Sequence, residues 1–319
     1  MRTLVMIAAL LLPWVAPAAG EPLPVKNHSP VWFGLLFPTP DASRAVAEGE
    51  PHYRLDLDYS SIFFVQKDKG WEFLFDMELA QATLNARIGF SGGVEAGIEQ
   101  PFFHMGGGFM DDAVTNYHSW FGFPMYDGQL GAPRYRFSYR MARNGAVWHG
   151  AAPYTVTAGD TTFWLKKELC AKDAATISLK LVGQAPTAST AEGMGNGAWE
   201  YGALILADRE FREKGKLGLS AGYIDPGFIN RGDYFPLNRF YYLDASLEYP
   251  FGRWAGVVQF TGATSPYGNA GPDLLSREWQ AITFGARYLT DGGKKLEFSF
   301  TEDLSFSAPD FTLHAGVEF

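Results

Sequence analysis

The chain has one cysteine, Cys170, so no disulfide can form within it, and a secreted scaffold stapled by disulfides is excluded. It has no excess of positive charge; the formal net charge of -9 argues against nucleic acid as a partner. Beyond the first twenty residues it has no apolar run near the roughly 20 residues that a membrane-crossing helix requires. Helical membrane proteins are therefore set aside. No Gly-x-Ser-x-Gly, zinc spacing or phosphate loop stands out, so no cofactor and no metal is expected. No repeat of fixed period is visible, which argues against a propeller or solenoid.

What is present starts at the N-terminus. Arg2 is followed by the apolar run Leu4–Leu12, and Ala16, Pro17, Ala18, Ala19 and Gly20 then offer small residues. That order is what signal peptidase reads, and residues 1–20 are expected to be a cleaved signal peptide. No cysteine follows the cleavage region, which speaks against a lipid anchor. The rest is rich in aromatics, 16 % of the chain, and in glycine, 36 residues. Aromatic girdles and glycine-bearing strands and turns would produce both.

The main signal is period two. Successive strand side chains point to opposite faces. A barrel with a wet lumen in lipid should therefore alternate apolar and polar for about ten residues at a time. Tyr53, Leu55, Leu57 and Tyr59 alternate with Arg54, Asp56 and Asp58. Ala82 to Phe90 alternate with Gln81, Thr83, Asn85 and Arg87, and Ile177, Leu179 and Leu181 oppose Thr176, Ser178 and Lys180. The same reading covers 217–223, 241–249, 282–288 and 296–301, and it makes Tyr135, Phe137 and Tyr139 a strand face opposite Arg134, Arg136, Ser138 and Arg140. Weaker candidates are 71–76, 93–101, 161–169, 198–207 and 254–263. Short turns such as Gly92-Gly93 and Asp291-Gly292-Gly293 contrast with longer polar stretches at 184–197 and 264–277. These observations predict an all-β antiparallel transmembrane barrel over 53–319 with about 12 strands, within a range of 12 to 14. Phe311, Leu313, Ala315, Val317 and Phe319 form the expected closing strand, whose terminal aromatic the outer-membrane assembly machinery would engage.

Two segments break the alternation. Residues 21–52 are proline-rich and include the apolar run Val31–Phe37. They are either a periplasmic lead or a segment folded back into the barrel, because a free apolar patch is disfavoured in water. In the insertion 103–124, Met110, Val114 and Tyr117 or His118 recur at helical spacing. Asp111 and Asp112 lie at the helix start, and Gly122 with Pro124 ends it. A short helix near 110–121 is predicted, plugging the lumen or lying at one rim.

The motifs Gly107-Gly108-Phe109-Met110-Asp111, Tyr117-His118 and Phe121-Gly122-Phe123-Pro124 are characteristic. With Phe300–Leu304, Ala308–Phe311 and the stretch Asn27–Pro40, the chain resembles a family of uncharacterised proteobacterial outer-membrane proteins known only as a domain of unknown function. The resemblance implies an outer-membrane barrel and transfers no catalytic residue.

Candidate lumen or rim residues are Asp111, Asp112, His118, Trp120, Asp303, Arg87, Arg136, Arg140 and Arg287. Asp111 and His118 are seven apart and could share a helix face, but helix capping and a rim histidine explain them as well. Asp303 would share the polar face of Thr301 and Ser299, with Arg87, Arg136, Arg140 and Arg287 as partners on other lumen faces. The function expected is a channel for a small or amphipathic solute. The alternatives are an outer-membrane hydrolase using His118 and a structural or assembly barrel. Lipid and the assembly machinery are the other partners.

Overall fold

The computed structural model describes residues 21–122, 132–172, 174–211, 215–230, 234–268, 270–305, 307, 309 and 311–319. The expected signal peptide, 1–20, and Phe123, Pro124, Ala308 and Asp310 of the family motifs lie outside the described residues.

Twelve long strands run β1 (Pro51–Asp68), β2 (Trp71–Phe90), β3 (Val94–Gly106), β4 (Thr161–Lys172), β5 (Ala175–Ala185) and β6 (Glu200–Phe211). They continue as β7 (Gly215–Asp225), β8 (Phe240–Phe251), β9 (Trp254–Ala263), β10 (Trp279–Leu289), β11 (Lys295–Asp303) and β12 (Phe311–Glu318). Each pairs antiparallel with its neighbours in sequence. The first meets the last with Arg54 opposite Glu318 and Ser61 opposite Phe311, so the sheet closes on itself. Closure leaves no open wall edge, which a barrel needs in lipid. The predicted all-β barrel of about 12 strands is the fold.

The alternation sorts the wall. Every strand contributes at least one large apolar residue to the outer face, from Leu57 and Leu84 through Phe284, Phe298 and Leu313, and these remain between 41 % and 53 % exposed. Their sequence neighbours, among them Asp58, Thr83, Lys180, Thr283 and His314, point inward and are buried. Aromatic residues mark both ends of the apolar band. Tyr53 pairs with Phe319, and Trp254 with Tyr288, at the end bearing the short turns; Trp199 stacks with Tyr201, and Tyr223 meets Tyr241, at the other. This is the girdle arrangement of barrels in lipid.

β1 and β2 are 18 and 20 residues long, and at about 3.3 Å per residue they outreach the apolar band. Their tip is a two-residue turn with Lys69 and Gly70 both at positive φ, the geometry that matches strand twist. The projecting hairpin bends over the mouth. Lys69 Nζ donates to Gly271 O at 3.0 Å and Trp71 Nε1 to Ala270 O at 3.1 Å. Residues Ser138–Arg143 add to the projecting part of β2 and pair in turn with Ala146–Gly150. The run 134–140, expected as a wall strand, is thus a correction: only 138–143 is extended, outside the cylinder. Six residues fall short of the roughly 9–11 a membrane strand needs.

Helix α1 (Asp111–Phe121) begins with Asp111 and Asp112 and ends at Gly122, whose φ of 70° forms a left-handed cap donating to His118 O. It leans on the outside of the wall. Tyr117 packs on Phe300 and its hydroxyl donates to Glu302 at 3.2 Å, both on the outward face of β11. The preceding loop is fixed by Glu78 on the outward face of β2, which accepts the N–H groups of Phe109 and Met110. Of the two places expected for this helix, the structure takes the rim and not the lumen.

Candidate functional site in the barrel lumen

Residues 21–46 fill the cylinder. The chain starts low, where Arg287 donates to Glu21 O at 2.6 Å, and rises past Gln259 and Glu99. It turns beneath the mouth over 29–35, where Tyr267 of the β9–β10 loop donates to Val31 O at 2.5 Å. It then descends past Glu200, Lys180 and Asp208, and leaves beside Glu95 and Gly89 to begin β1. The segment is a U-shaped plug.

Its two ends are held differently. The bend carries the apolar run, and Trp32 and Phe37 make edge contacts with Phe240, Tyr242 and Trp279, while Phe33 packs on Phe103. Burying each such side chain stabilises by about 1.5–3 kcal/mol relative to exposure. This explains why Val31–Phe37 tolerates no exposure to water: all seven residues are buried. The lower limbs are ionic. Asp41 meets Lys180 at 2.8 Å, Lys166 at 3.2 Å and Arg87 at 3.5 Å. Glu21 meets Arg87 at 3.1 Å and Lys295 at 3.6 Å, and Lys26 pairs with Glu99.

Burial alone would push both plug carboxyls up. The surrounding cations outweigh it: Lys166, Lys180 and Arg87 hold Asp41 down at about 2, and Arg87, Lys295, Arg287 and Arg54 hold Glu21 well below the usual range. His28, near the bend, lies with Nδ1 2.9 Å from Ser60 Oγ, and Nε2 has no hydrogen-bond partner among the described residues. Burial pushes its imidazole below the ordinary 6.5, against the pull of Asp58.

The wall makes room for the plug with glycine. A Cβ on Gly89 would lie 2.2 Å from Val46 O, and one on Gly285 2.5 Å from a Leu23 methyl. Two small cavities lie beside the plug. One cavity of about 40 Å³ lies between Arg54, Arg87, Asp41 and Trp164, and another of about 40 Å³ lies beside Trp32, Phe33 and Glu99. Either admits a few waters but no solute.

The expected site residues are scattered. Arg87 and Arg287 are in the lumen, Arg87 joining Glu21, Asp41 and Glu318, and Arg287 joining Glu248 and Glu297. Asp303 lies on the inward face at the top of β11, opposite Ala281. Two residues expected on the lumen wall require correction. Arg136 is exposed on the loop after α1, and Arg140 pairs with Glu72 at 2.6 Å on the projecting hairpin, both because the 134–140 run is not in the wall. Asp111 and Asp112 are engaged by the loop that follows: Asp111 accepts from Tyr135 N–H at 2.5 Å, and Asp112 from the Tyr135 hydroxyl at 2.7 Å. His118 is buried beside the Tyr117 ring, and Trp120, 81 % exposed, points into the surroundings. In the closing strand Leu313 and Val317 face outward, and Tyr53 and Phe319 exchange both backbone hydrogen bonds.

Sequence reasoning missed Glu21, Asp41, Lys166 and Gln259. Lys166 and Gln259 carried a faint signal as polar members of weakly alternating runs. Glu21 and Asp41 carried none, since a carboxylate beside a proline does not announce partners such as Arg87 and Lys180 that are distant in sequence.

A family model described only as a protein of unknown function, DUF3187, matches residues 2–319. Among solved structures, the chain is similar to the COG4313 outer membrane channel from Pseudomonas putida F1, with 13 % identity and a TM-score of 0.61 over 86 % of this chain and 97 % of that one. The NanC porin aligns with 10 % identity and a TM-score of 0.49, over 83 % and 98 %. No curated protein matches.

Proposed function

The chain belongs to the DUF3187 family, and from its lumen we propose an outer-membrane channel for a small or amphipathic solute, closed at rest by residues 21–46. Residues 1–20 direct export, 21–52 are the gate and its lead into the wall, and 53–319 form the barrel with its rim insertion. The outward apolar band and the aromatic girdles support lipid as the surroundings. The fold shared with the Pseudomonas putida channel supports the same location. The assembly machinery would engage the strand ending at Phe319.

One observation carries the channel reading. The element that blocks the lumen leads into β1 but contributes no strand to the closed wall, and its lower limbs are held by ion pairs and hydrogen bonds alongside the buried Leu23 and Val25. Such a latch can release while the wall stays closed. Planar-bilayer conductance tests it. The native chain should show rare openings, and the doubly neutralised Glu21→Gln, Asp41→Asn chain frequent ones. A variant that stays folded and never conducts removes the reading.

A second reading, a sealed structural barrel, is favoured by the small internal cavities. It predicts no conductance from either chain and a leaky envelope on deletion.

A further inference from the structure

The plug's ion pairs involve its side chains, but much of its hold on the wall is through its main chain. Gln259 takes both backbone groups of one residue: Leu23 N–H donates to Oε1 at 2.7 Å, and Nε2 donates to Leu23 O at 3.0 Å. That is the two-point exchange a neighbouring strand makes, performed by a single side-chain amide. On the descending limb Asp208 accepts from Ser43 N–H at 2.7 Å, Glu168 from Ala45 N–H at 2.7 Å and Glu95 from Val46 N–H at 3.0 Å. Lys166 donates to Ala42 O at 3.0 Å. The acceptors and donors come from strands on different sides of the cylinder, and neither limb forms helix or sheet over 21–28 or 36–42. At Leu23, Ala42, Ser43, Ala45 and Val46 the lumen therefore holds the chain by its peptide groups, beside the side-chain ion pairs and the apolar bend.

If the plug withdraws, Gln259 keeps Asp244 and Thr261, Glu95 keeps Lys166 and Trp164, and Asp208 keeps Lys216, but each loses the peptide group it held, and a hydrogen-bonding position left unfilled is costly. The solute that best replaces the plug presents N–H and C=O groups at peptide spacing. A plain glucan such as maltopentaose offers hydroxyls to the carboxylates but no planar amide for Gln259. Resting on the channel reading above, we propose that the lumen is a binding track for an extended oligopeptide recognised by its backbone, of which residues 21–46 are the resident occupant.

The test uses the full chain carrying Glu21→Gln and Asp41→Asn in liposomes, with arabinose entry followed by swelling. Penta-alanine should inhibit arabinose entry saturably, at least fivefold. Backbone N-methylated penta-alanine, which has lost its N–H donors, and maltopentaose should not. Adding Gln259→Met should raise the penta-alanine concentration needed about tenfold. The N-methyl comparison stands on its own if that variant fails to fold. Arabinose entry that penta-alanine and its N-methylated form affect equally would overturn the peptide track and leave the channel. No arabinose entry at all would overturn the channel and the track together.

Discussion

Replacing Asp41 by Asn should loosen the descending limb of the plug by about two orders of magnitude. The Asp41 side chain is 7 % exposed and faces three cations. Two of them keep carboxylate partners after the change: Lys166 retains Glu95 at 3.1 Å, and Arg87 retains Glu21 and Glu318. Lys180, 5 % exposed, loses its contacting carboxylate and keeps the Trp164 ring at 4.8 Å and the attraction of the Glu99 charge. Removing one partner of a buried pair costs about 3–5 kcal/mol. One cation that loses its direct carboxylate contact, with the Asn oxygen still able to accept, places the cost near the lower end, about 3 kcal/mol. At about 1.4 kcal/mol per tenfold, that is roughly a 10²-fold rise in the undocked population. The assay is thiol labelling of Ala42→Cys in a Cys170→Ser background, because Ala42 is buried and Cys170 is exposed. Labelling governed by undocking should quicken about a hundredfold in the Asp41→Asn chain. A change below threefold, with the barrel still migrating as folded, would refute the latch.

Acid should open the plug through His28. Its imidazole is buried with a pKa below the ordinary 6.5, so the undocked state binds the proton more readily. Docking is then fully stabilised above pH 6.5 and weakens as pH falls below it. Asp41, held at about 2, stays charged across that window and contributes nothing to the change. Conductance should rise between pH 6.5 and 5, and the rise should vanish in His28→Gln. At the foot of the plug, Gly89→Val would drive a side chain into Val46 O and Ala47 O, so limited proteolysis should cut near 44–50 in the variant and spare the native chain. On the outer face, Phe284→Arg places a charge in the middle of the apolar band and should destabilise the barrel in vesicles by about 2–4 kcal/mol, read by urea unfolding.

The wall was legible because one elementary rule governs it. With lipid on one side and a polar interior on the other, a strand has to alternate, and runs such as 53–59, 176–181 and 311–319 carry the pattern without interruption. The same rule misled at 134–140. That run alternates because Tyr139 packs over the plug at Phe33 while Arg140 reaches Glu72, which is a two-sided environment without any membrane. Length was the missed signal. The helix was legible from its acidic start and its glycine end, but its side of the wall was not. That depends on Glu78, a carboxylate on the outward face of β2 that holds the loop before the helix. The plug was only half legible. Val31–Phe37 had to be covered, but several partners of 21–46, among them Gln259, Asp208 and Glu168, meet its peptide groups, which are the same in every sequence.

The central claim is that residues 21–46 lie inside a closed wall embedded in the outer membrane. Cysteines at His28 and Ser60, whose side chains are in contact, test it in intact cells with Cys170→Ser. The account predicts a disulfide in the assembled, membrane-extracted protein, and no labelling of residue 28 by an impermeant thiol reagent. A free residue 28 that reacts as fast as it would in an unstructured peptide, with no cross-link formed, would contradict it.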